Sequence, residues 1–467
     1  MPISRKAALS LTAAAIAFPA RVALGAAPTY DVAFAAGSRD AAGNFMGGTE
    51  LRSLVAHAGK LYAGNGYWMD RPGSEGTQAA QVLVLDGVRG RWRVDRTFDD
   101  GKTAGHSRDL AVSTMCEITF ATDNTGAALP AGVSMLVAST WNLAGFSRVW
   151  SRVDGSGTWA GATLAQDRPE PKFLPQIRSF GTHRDRVTGI DGVFAGQAPR
   201  GIFHGSYDPT VAGRIRWSAA PELDMAALGV QDTTAGNLKP RVGSFAECNG
   251  RLYATIGQQI VERTDGPNPT WRIAYTNSRP GKSETGLRGL TAIPSPSGSG
   301  EVLLAAVEGD ASRILRVDPT NGSEFTELDV IRMLSDAWGI RAGYAIVAYN
   351  DMTKTHDSQG RSVLLMGLEA FVAAGSPLPA GHGAVDVGYG RLDGGGWYLM
   401  RSPDGRYHLQ RIVTGSPERD SSLVSTRSIS PSPFKDDADA TYFAGYDANY
   451  APVHNTAWIV RGGMPSG

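Results

Sequence analysis

Only two cysteines, Cys116 and Cys248, occur among the 467 residues. A disulfide framework is thereby excluded, and a chain this long can draw its stability from its core instead. In the repeat register set out below, the two fall on different, non-adjacent units, so two free thiols are expected. An excess of one charge sign is also lacking. Basic and acidic side chains number 45 each, and charged residues are only 19% of the total. Such a chain offers no broad electrostatic footprint for nucleic acid or an anionic membrane. No segment beyond the N-terminus is long and apolar enough to cross a bilayer, which takes about 20 residues, so no membrane span is expected. Neither a GxSxG elbow nor a phosphate-binding P-loop is present. The eight histidines include no HxH or HExxH pair. Any metal site must therefore be assembled from distant parts of the chain.

What is present begins with "MPISRKAALSLTAAAIAFPARVALGAAP". Arg5 and Lys6 precede an apolar, alanine-rich centre, and small residues follow at Ala23 and Gly25. These are the parts of a secretory signal peptide. Residues 1–26 are read as that leader, and residues 27–467 as one domain that is secreted or periplasmic and monomeric.

The rest of the chain repeats itself. Short apolar runs such as "KLYAGNG", "RLYATIG", "EVLLAAVEG" and "SVLLMGLEA" read as second strands, each bounded by small or turn-forming residues. Third strands ending in tight turns follow, as in "VLVLDG" and "IVERTDG". Asp-Gly and Asn-Gly suit hairpins because both central positions tolerate positive φ. An arginine opens the first strand of every unit: Arg52, Arg108, Arg178, Arg241, Arg288, Arg341 and Arg427. Self-similarity at this spacing in all-strand units predicts an all-β, seven-bladed β-propeller of four-stranded antiparallel blades. The last unit is one strand short. The N-terminal segment "TYDVAFAAG", residues 29–37, resembles a fourth strand, and its pairing into that unit would close the ring and cover exposed edges.

In such a fold, loops between strands two and three open on the same face as the connections between units. By that rule His57, His183 and His356 fall on the opposite face and His408 on an outer strand, all four as solvated surface groups. His106, His204, His382 and His454 converge on the mouth. With them come Tyr67, Trp68, Trp141, Tyr207, Tyr389, Tyr446 and Tyr450, and the acids Asp70, Asp208, Glu308, Asp310, Glu369 and Asp447. Aromatic groups around a few polar ones in a concave mouth suit a ligand site. The catalytic candidates are His204, Tyr207, His106 and His454. Arg108, Arg178, Arg241, Arg200, Trp68, Trp141 and Tyr446 are the substrate-binding candidates. A divalent metal is the one cofactor considered, with His106, His204, His382 and His454 as its ligands; solvated loop histidines are the alternative. The seven arginines have two readings as well. Most can tie a blade to nearby carbonyls or to acids such as Glu50, Asp109 or Glu284, while two or three can bind a carboxylate, which planar guanidinium recognises in bidentate fashion.

By its repeats the chain resembles the seven-bladed β-propellers, and by its export signal and its mouth of histidine, tyrosine and arginine it is similar to the propeller-type polysaccharide lyases. The tight Asp-box of sialidase-type propellers is only echoed in "SRVDGSGTW", where the spacing differs. The lyase resemblance implies an acidic oligo- or polysaccharide as partner. Arginine would neutralise a uronate carboxylate, histidine or tyrosine would remove the C5 proton, and the glycosidic bond would break by β-elimination. Two alternatives stand beside it: a glycoside hydrolase using paired carboxylates, and a non-catalytic propeller that binds a glycan or a protein.

Overall fold

A computed structural model of the protein describes residues 23–24, 29–67, 79–98, 102–103, 106–169, 175–230, 240–282, 286–349, 351–377, 383–386, 390–416, 420, 423–445 and 455–465. The chain is all-β, and its sheets have a propeller-like arrangement. Four sheets contain four or five strands and two contain eight, rather than seven separate sheets. One eight-stranded sheet joins the runs that follow Arg52 and Arg108 through a single bridge between Gly66 and Ala111. The other holds the sixth unit, widened by a hairpin of Gly383–Asp386 and Gly390–Gly394. Ala23 and Leu24 also lie parallel along His408 and Leu409 of that sheet. The remainder of the expected leader lies outside the described residues.

Within a unit the chain runs as a meander. In the fourth, Val242–Cys248, Arg251–Ile256, Gln259–Thr264 and Thr270–Thr276 pair in that order. The turn at Asn249 and Gly250 places both residues at positive φ, 49° and 70°, and Ala58 and Gly59 repeat this at 49° and 72°. Such turns match the right-handed twist of the flanking strands. The N-terminal strand Tyr30–Ala35 pairs antiparallel with Trp458–Gly463 in the sheet of the last unit.

Neighbouring units are tied to one another by small polar groups. Ser53 Oγ accepts from the Met115 amide, Ser113 Oγ donates to the Ile177 carbonyl and Ser179 Oγ to that of Val242. Further round, Thr255 Oγ1 donates to the Arg288 carbonyl and Thr353 Oγ1 to that of Ile429. Ser428 Oγ accepts from the Leu54 amide, 374 residues earlier in the chain.

The sixth unit departs from this pattern. Ala342–Val347 and Thr353–His356 both pair with the long strand Ser362–Ala373, and Ala348, Tyr349, Asp351 and Met352 lie outside the sheet between them. Gly289 of the fifth unit makes the room. A Cβ there would sit 2.6 Å from that of Ala348, while its amide donates to the Ala348 carbonyl at 2.8 Å.

Two buried latches join units in pairs. Between the first and second units, Arg152 lies over the Tyr62 ring at 5.4 Å and donates to Asp95 and Asp154, while the Trp159 indole donates to Asp95 at 2.8 Å. His57 bridges Glu117 at 2.9 Å and Asp154 at 2.8 Å. Between the third and fourth units, Arg263 lies over Phe194 at 5.4 Å and donates to Glu222 and Asp265, and the Trp271 indole donates to Glu222 at 2.9 Å. There His183 bridges Glu247 and Asp265. The expected solvation of His57 and His183 is therefore corrected, since both are buried. Their place at the end of a first strand is right, but the neighbouring unit folds over them and supplies two carboxylates each. A third latch, without histidine, has Arg401 and Tyr407 of the sixth unit donating to Glu327 of the fifth.

Candidate functional site: an arginine cluster around Tyr349

The segment that leaves the sixth sheet carries Tyr349 to a point where arginines from several units meet. The guanidinium groups of Arg427, Arg288 and Arg178 lie 4.1, 5.1 and 5.9 Å from its ring. Arg178 Nη1 donates to its hydroxyl at 3.2 Å. Arg52 and Arg241 complete the group, Arg52 acting electrostatically on Tyr349 and Arg178, and Arg241 on Arg178 and Glu308. Each of these arginines opens a first strand. Their inward convergence follows from that shared position.

Three glutamates are interleaved with them. Glu50 pairs with Arg52 and lies 3.3 Å from Arg427. Glu308 pairs with Arg288 and accepts from the Tyr344 hydroxyl at 2.5 Å. Glu369 meets Arg427 at 2.8 Å and accepts from Ser425 Oγ at 2.8 Å. Five guanidinium groups thus face three carboxylates among the described residues. Arg178 has no carboxylate partner among them, and its buried Nε makes no hydrogen bond.

These surroundings set the protonation states. Burial opposes ionisation of Tyr349, but Arg178, Arg52 and Arg427 outweigh it and bring the phenol down to about 8. Burial, with the adjacent Glu308 carboxylate, drives Tyr344 the other way, well above the ordinary tyrosine range. Burial also depresses Arg178 strongly, and Arg241, Arg288 and Arg52 add to it. An arginine does not deprotonate in a protein, so the depression measures how far its charge goes uncompensated. Glu369 is raised, because burial exceeds the help it receives from Arg427 and Ser425. Glu308 is lowered: Arg288 and Tyr344 overcome its burial.

Below the cluster runs a polar axial cavity of about 360 Å³, lined by Arg52, Arg427, Ser179, Ser244, Ser428 and Asp351. A second cavity of about 580 Å³ shares Cys116, Glu117, Phe180, Phe245 and Asp351 with it. The two cavities adjoin at those residues. Cys116 and Cys248 are both free, and burial pushes the Cys248 thiol up to about 12. Neither behaves as a nucleophile in that state.

The structure brings together only some of the residues singled out from sequence. Arg178, Arg241, Glu308 and Glu369 lie in the cluster. Trp141 is buried with its ring 4.8 Å from the Arg52 guanidinium, so it orients an arginine instead of presenting a face to ligand. His204 and Tyr207 do not join them. The strand Gly201–Tyr207 begins immediately after Arg200, so His204 is in mid-sheet opposite Phe194 and not in a loop. Its ring stacks on Phe194 at 5.1 Å, and burial lowers its pKa. Tyr207 packs in the core against Phe120 at 5.8 Å. Arg200 is held by Asp167 at 2.9 Å, and Asp208 accepts from Thr210 and Arg216 within its own turn. Tyr67 is buried, and Asp310 accepts from the Lys282 amide. Arg108 and Arg341 are exposed. His106 lies on a two-residue strand paired with Lys102–Thr103. Trp68, Asp70, His382, Tyr389, Tyr446, Asp447, Tyr450 and His454 lie outside the described residues. No group of three or more metal-ligating side chains occurs among the described residues, and no helix among them is long and apolar enough to cross a membrane.

Tyr349 and Tyr344 were not among the sequence candidates. A signal for them exists in the length of the sixth unit's first turn: Arg341 stands more than twice as far from its second strand at Ser362 as Arg52 does from Lys60.

No protein-family model matches the chain, and no curated protein matches it in sequence. Solved structures with a related course of the chain include a Trypanosoma rangeli sialidase, at 10% identity and a TM-score of 0.41 over 94% of this chain. The Aleuria aurantia lectin follows at 10% identity and 0.36 over 79% of this chain and 97% of its own. A prolyl endopeptidase has 10% identity and 0.34 over 85%. The chain spans 60% of the sialidase and 54% of the endopeptidase. At these scores the likeness extends to no residue and no activity.

Proposed function

We propose that the chain is an exported, monomeric carbohydrate-active enzyme, a polysaccharide lyase that acts on a uronate-containing glycan at the axial arginine cluster. The observation that carries this reading is Arg178: buried, without a carboxylate partner among the described residues, and bound to a tyrosine whose pKa is brought down to about 8. An uncompensated buried cation is costly unless a ligand supplies its counter-charge. A carboxylate is the planar anion that guanidinium matches best. With the carboxylate neutralised, the proton at C5 of the sugar becomes acidic. The Tyr349 phenolate takes that proton, the electron pair forms the C4–C5 double bond, and the C4–O bond breaks. Tyr344, which stays protonated, is the group in the cluster able to protonate the departing oxygen, with His106 and His454 as the alternatives from the mouth loops. A base near its working pH contributes roughly 10²–10⁴-fold, and the arginines supply charge stabilisation beyond that. The same reading takes the seven arginine-led units as blades of one ring, supported by the hydrogen bonds that join four pairs of neighbouring first strands and by the pairing of Tyr30–Ala35 with Trp458–Gly463.

A second reading, glycoside hydrolysis, is favoured by one observation. Glu50, Glu308 and Glu369 share the cluster, and Glu369 is raised by burial as a general acid requires. One experiment separates the readings. The protein is incubated with acidic and neutral polysaccharides while unsaturated-uronate absorbance and reducing ends are followed together. Elimination gives both signals on acidic glycans alone, and Tyr349→Phe loses both. Reducing ends without unsaturation mean hydrolysis. Binding with neither signal means a glycan-binding module.

A further inference from the structure

The charged groups around Tyr349 can be counted unit by unit. The first unit contributes Arg52 and Glu50, the third Arg178 and the fourth Arg241. The fifth contributes Arg288 and Glu308, the sixth Glu369 and the seventh Arg427. Asp351 follows two residues later and is among the residues that line both cavities. The three glutamates are engaged with Arg52, Arg288 and Arg427. Arg178 is different. One of its terminal nitrogens is on the phenol oxygen of Tyr349, and its buried Nε makes no hydrogen bond.

We propose that Tyr349 and a bound carboxylate share Arg178 and its neighbours as counter-charge, so that anion binding and ionisation of the tyrosine oppose each other and the anion governs the charge on the tyrosine. This rests on the reading of the cluster as a carboxylate site and adds its regulation. A carboxylate that paired with the unbonded Nε of Arg178 would lie on the same guanidinium as the phenol oxygen. Two anions at that separation repel, which favours the protonated phenol. The arginine field that supports phenolate in the free protein is then partly spent on the ligand. Linkage makes the effect mutual: whatever the carboxylate does to the ionisation of Tyr349, that ionisation does to the affinity for carboxylate. The empty site therefore holds its tyrosine ready to ionise near neutral pH. Anion binding moves that ionisation to higher pH, so the share of Tyr349 present as phenolate in the filled site, and with it the rate of proton removal, grows as pH rises through the shifted midpoint.

The test uses the whole protein, with D-glucuronate and inorganic sulfate as probes. Phenolate ultraviolet absorbance is titrated from about pH 6 to pH 10 with and without saturating probe, and the probe's Kd is measured by calorimetry at about pH 7 and pH 9. One tyrosine is expected to titrate near 8 in the free protein and to be missing from Tyr349→Phe. Glucuronate is expected to move that midpoint up by about one unit or more, the scale of a nearby like charge. Its Kd should weaken about five- to tenfold between the two pH values in the wild type and stay level in Tyr349→Phe. Glucuronate that binds without moving the midpoint overturns the proposal. So does a pH dependence of Kd that survives in Tyr349→Phe, or the lack of any tyrosine titrating near 8. Sulfate that binds and shifts the midpoint while glucuronate does not would keep the shared counter-charge and overturn its assignment to a carboxylate. Glycan turnover plays no part in these readouts, so failure of the lyase reading and failure of the linkage are told apart.

Discussion

Replacing His183 with leucine removes the ring that holds the third and fourth units together through Glu247 and Asp265. The ring is buried; the Asp265 side chain is only 11% exposed and also carries Arg263. A hydrogen bond to a charged group is worth about 1.5–3 kcal/mol when shielded. The Glu247 side counts for less, because that carboxylate is about half exposed and water competes for it. Together the loss is about 2–4 kcal/mol. Its pH dependence has a definite sign. Burial opposes the protonated ring, but Glu247 and Asp265 overcome it, so the pKa of His183 in the folded protein is raised above that of the unfolded chain. The contribution is then complete below the unfolded value of about 6.5 and fades as pH rises through the folded value. Urea unfolding followed by tryptophan fluorescence should show the largest deficit in His183→Leu at about pH 6 and a smaller one at about pH 9, where a neutral ring still makes one donation. A deficit equal at the two pH values, or below about 0.5 kcal/mol at both, would refute the latch.

Three further outcomes follow from the same structure. Arg178→Met should raise the urea midpoint, because replacing an uncompensated buried charge with an apolar side chain is neutral or stabilising by about 1–4 kcal/mol; the same variant should lose glucuronate binding, and retained binding would remove Arg178 from the site. Gly289→Ala should displace the segment bearing Tyr349, since its Cβ would meet that of Ala348 at 2.6 Å; a cost of about 1–3 kcal/mol with loss of the tyrosine titration near 8 is expected, and an unchanged titration would contradict this placement. His204→Ala should cost about 1–3 kcal/mol through lost packing on Phe194 and leave any pH–rate profile unmoved, whereas a missing limb in that profile would restore His204 as a proton-transfer group.

The strand content was legible because it is written locally. Apolar runs bounded by Asn-Gly and Asp-Gly, and an arginine before each first strand, reflect conditions met within a few residues. The histidines were harder. "GIFHGSYD" reads as a loop because its glycines and Asp208 look like turn residues, yet Gly201 and Gly205 are needed for close packing: a Cβ at Gly201 would lie 1.8 Å from the Leu223 carbonyl oxygen, and one at Gly205 would lie 2.9 Å from the Trp217 ring. Those neighbours belong to later strands and leave no mark nearby in sequence. The candidate site is less legible again. Tyr349 is singled out by arginines that are hundreds of residues apart in the chain, and the space it occupies depends on Gly289 of another unit. The arginines themselves were visible, but which of them lacked a partner depended on where Glu50, Glu308 and Glu369 came to rest.

The sheet that pairs Tyr30–Ala35 with Trp458–Gly463 also sets a timetable for the living cell. At about 5–20 residues per second, the ribosome needs on the order of a minute between making the first of these strands and the second. During that interval the early strand lacks the partner it has in the folded sheet. Any holding factor, or an export route that keeps the chain extended until synthesis ends, would shield that edge through the wait. A domain inserted between these two strands would lengthen the exposure, whereas a tag fused before Tyr30 would leave the interval as it is.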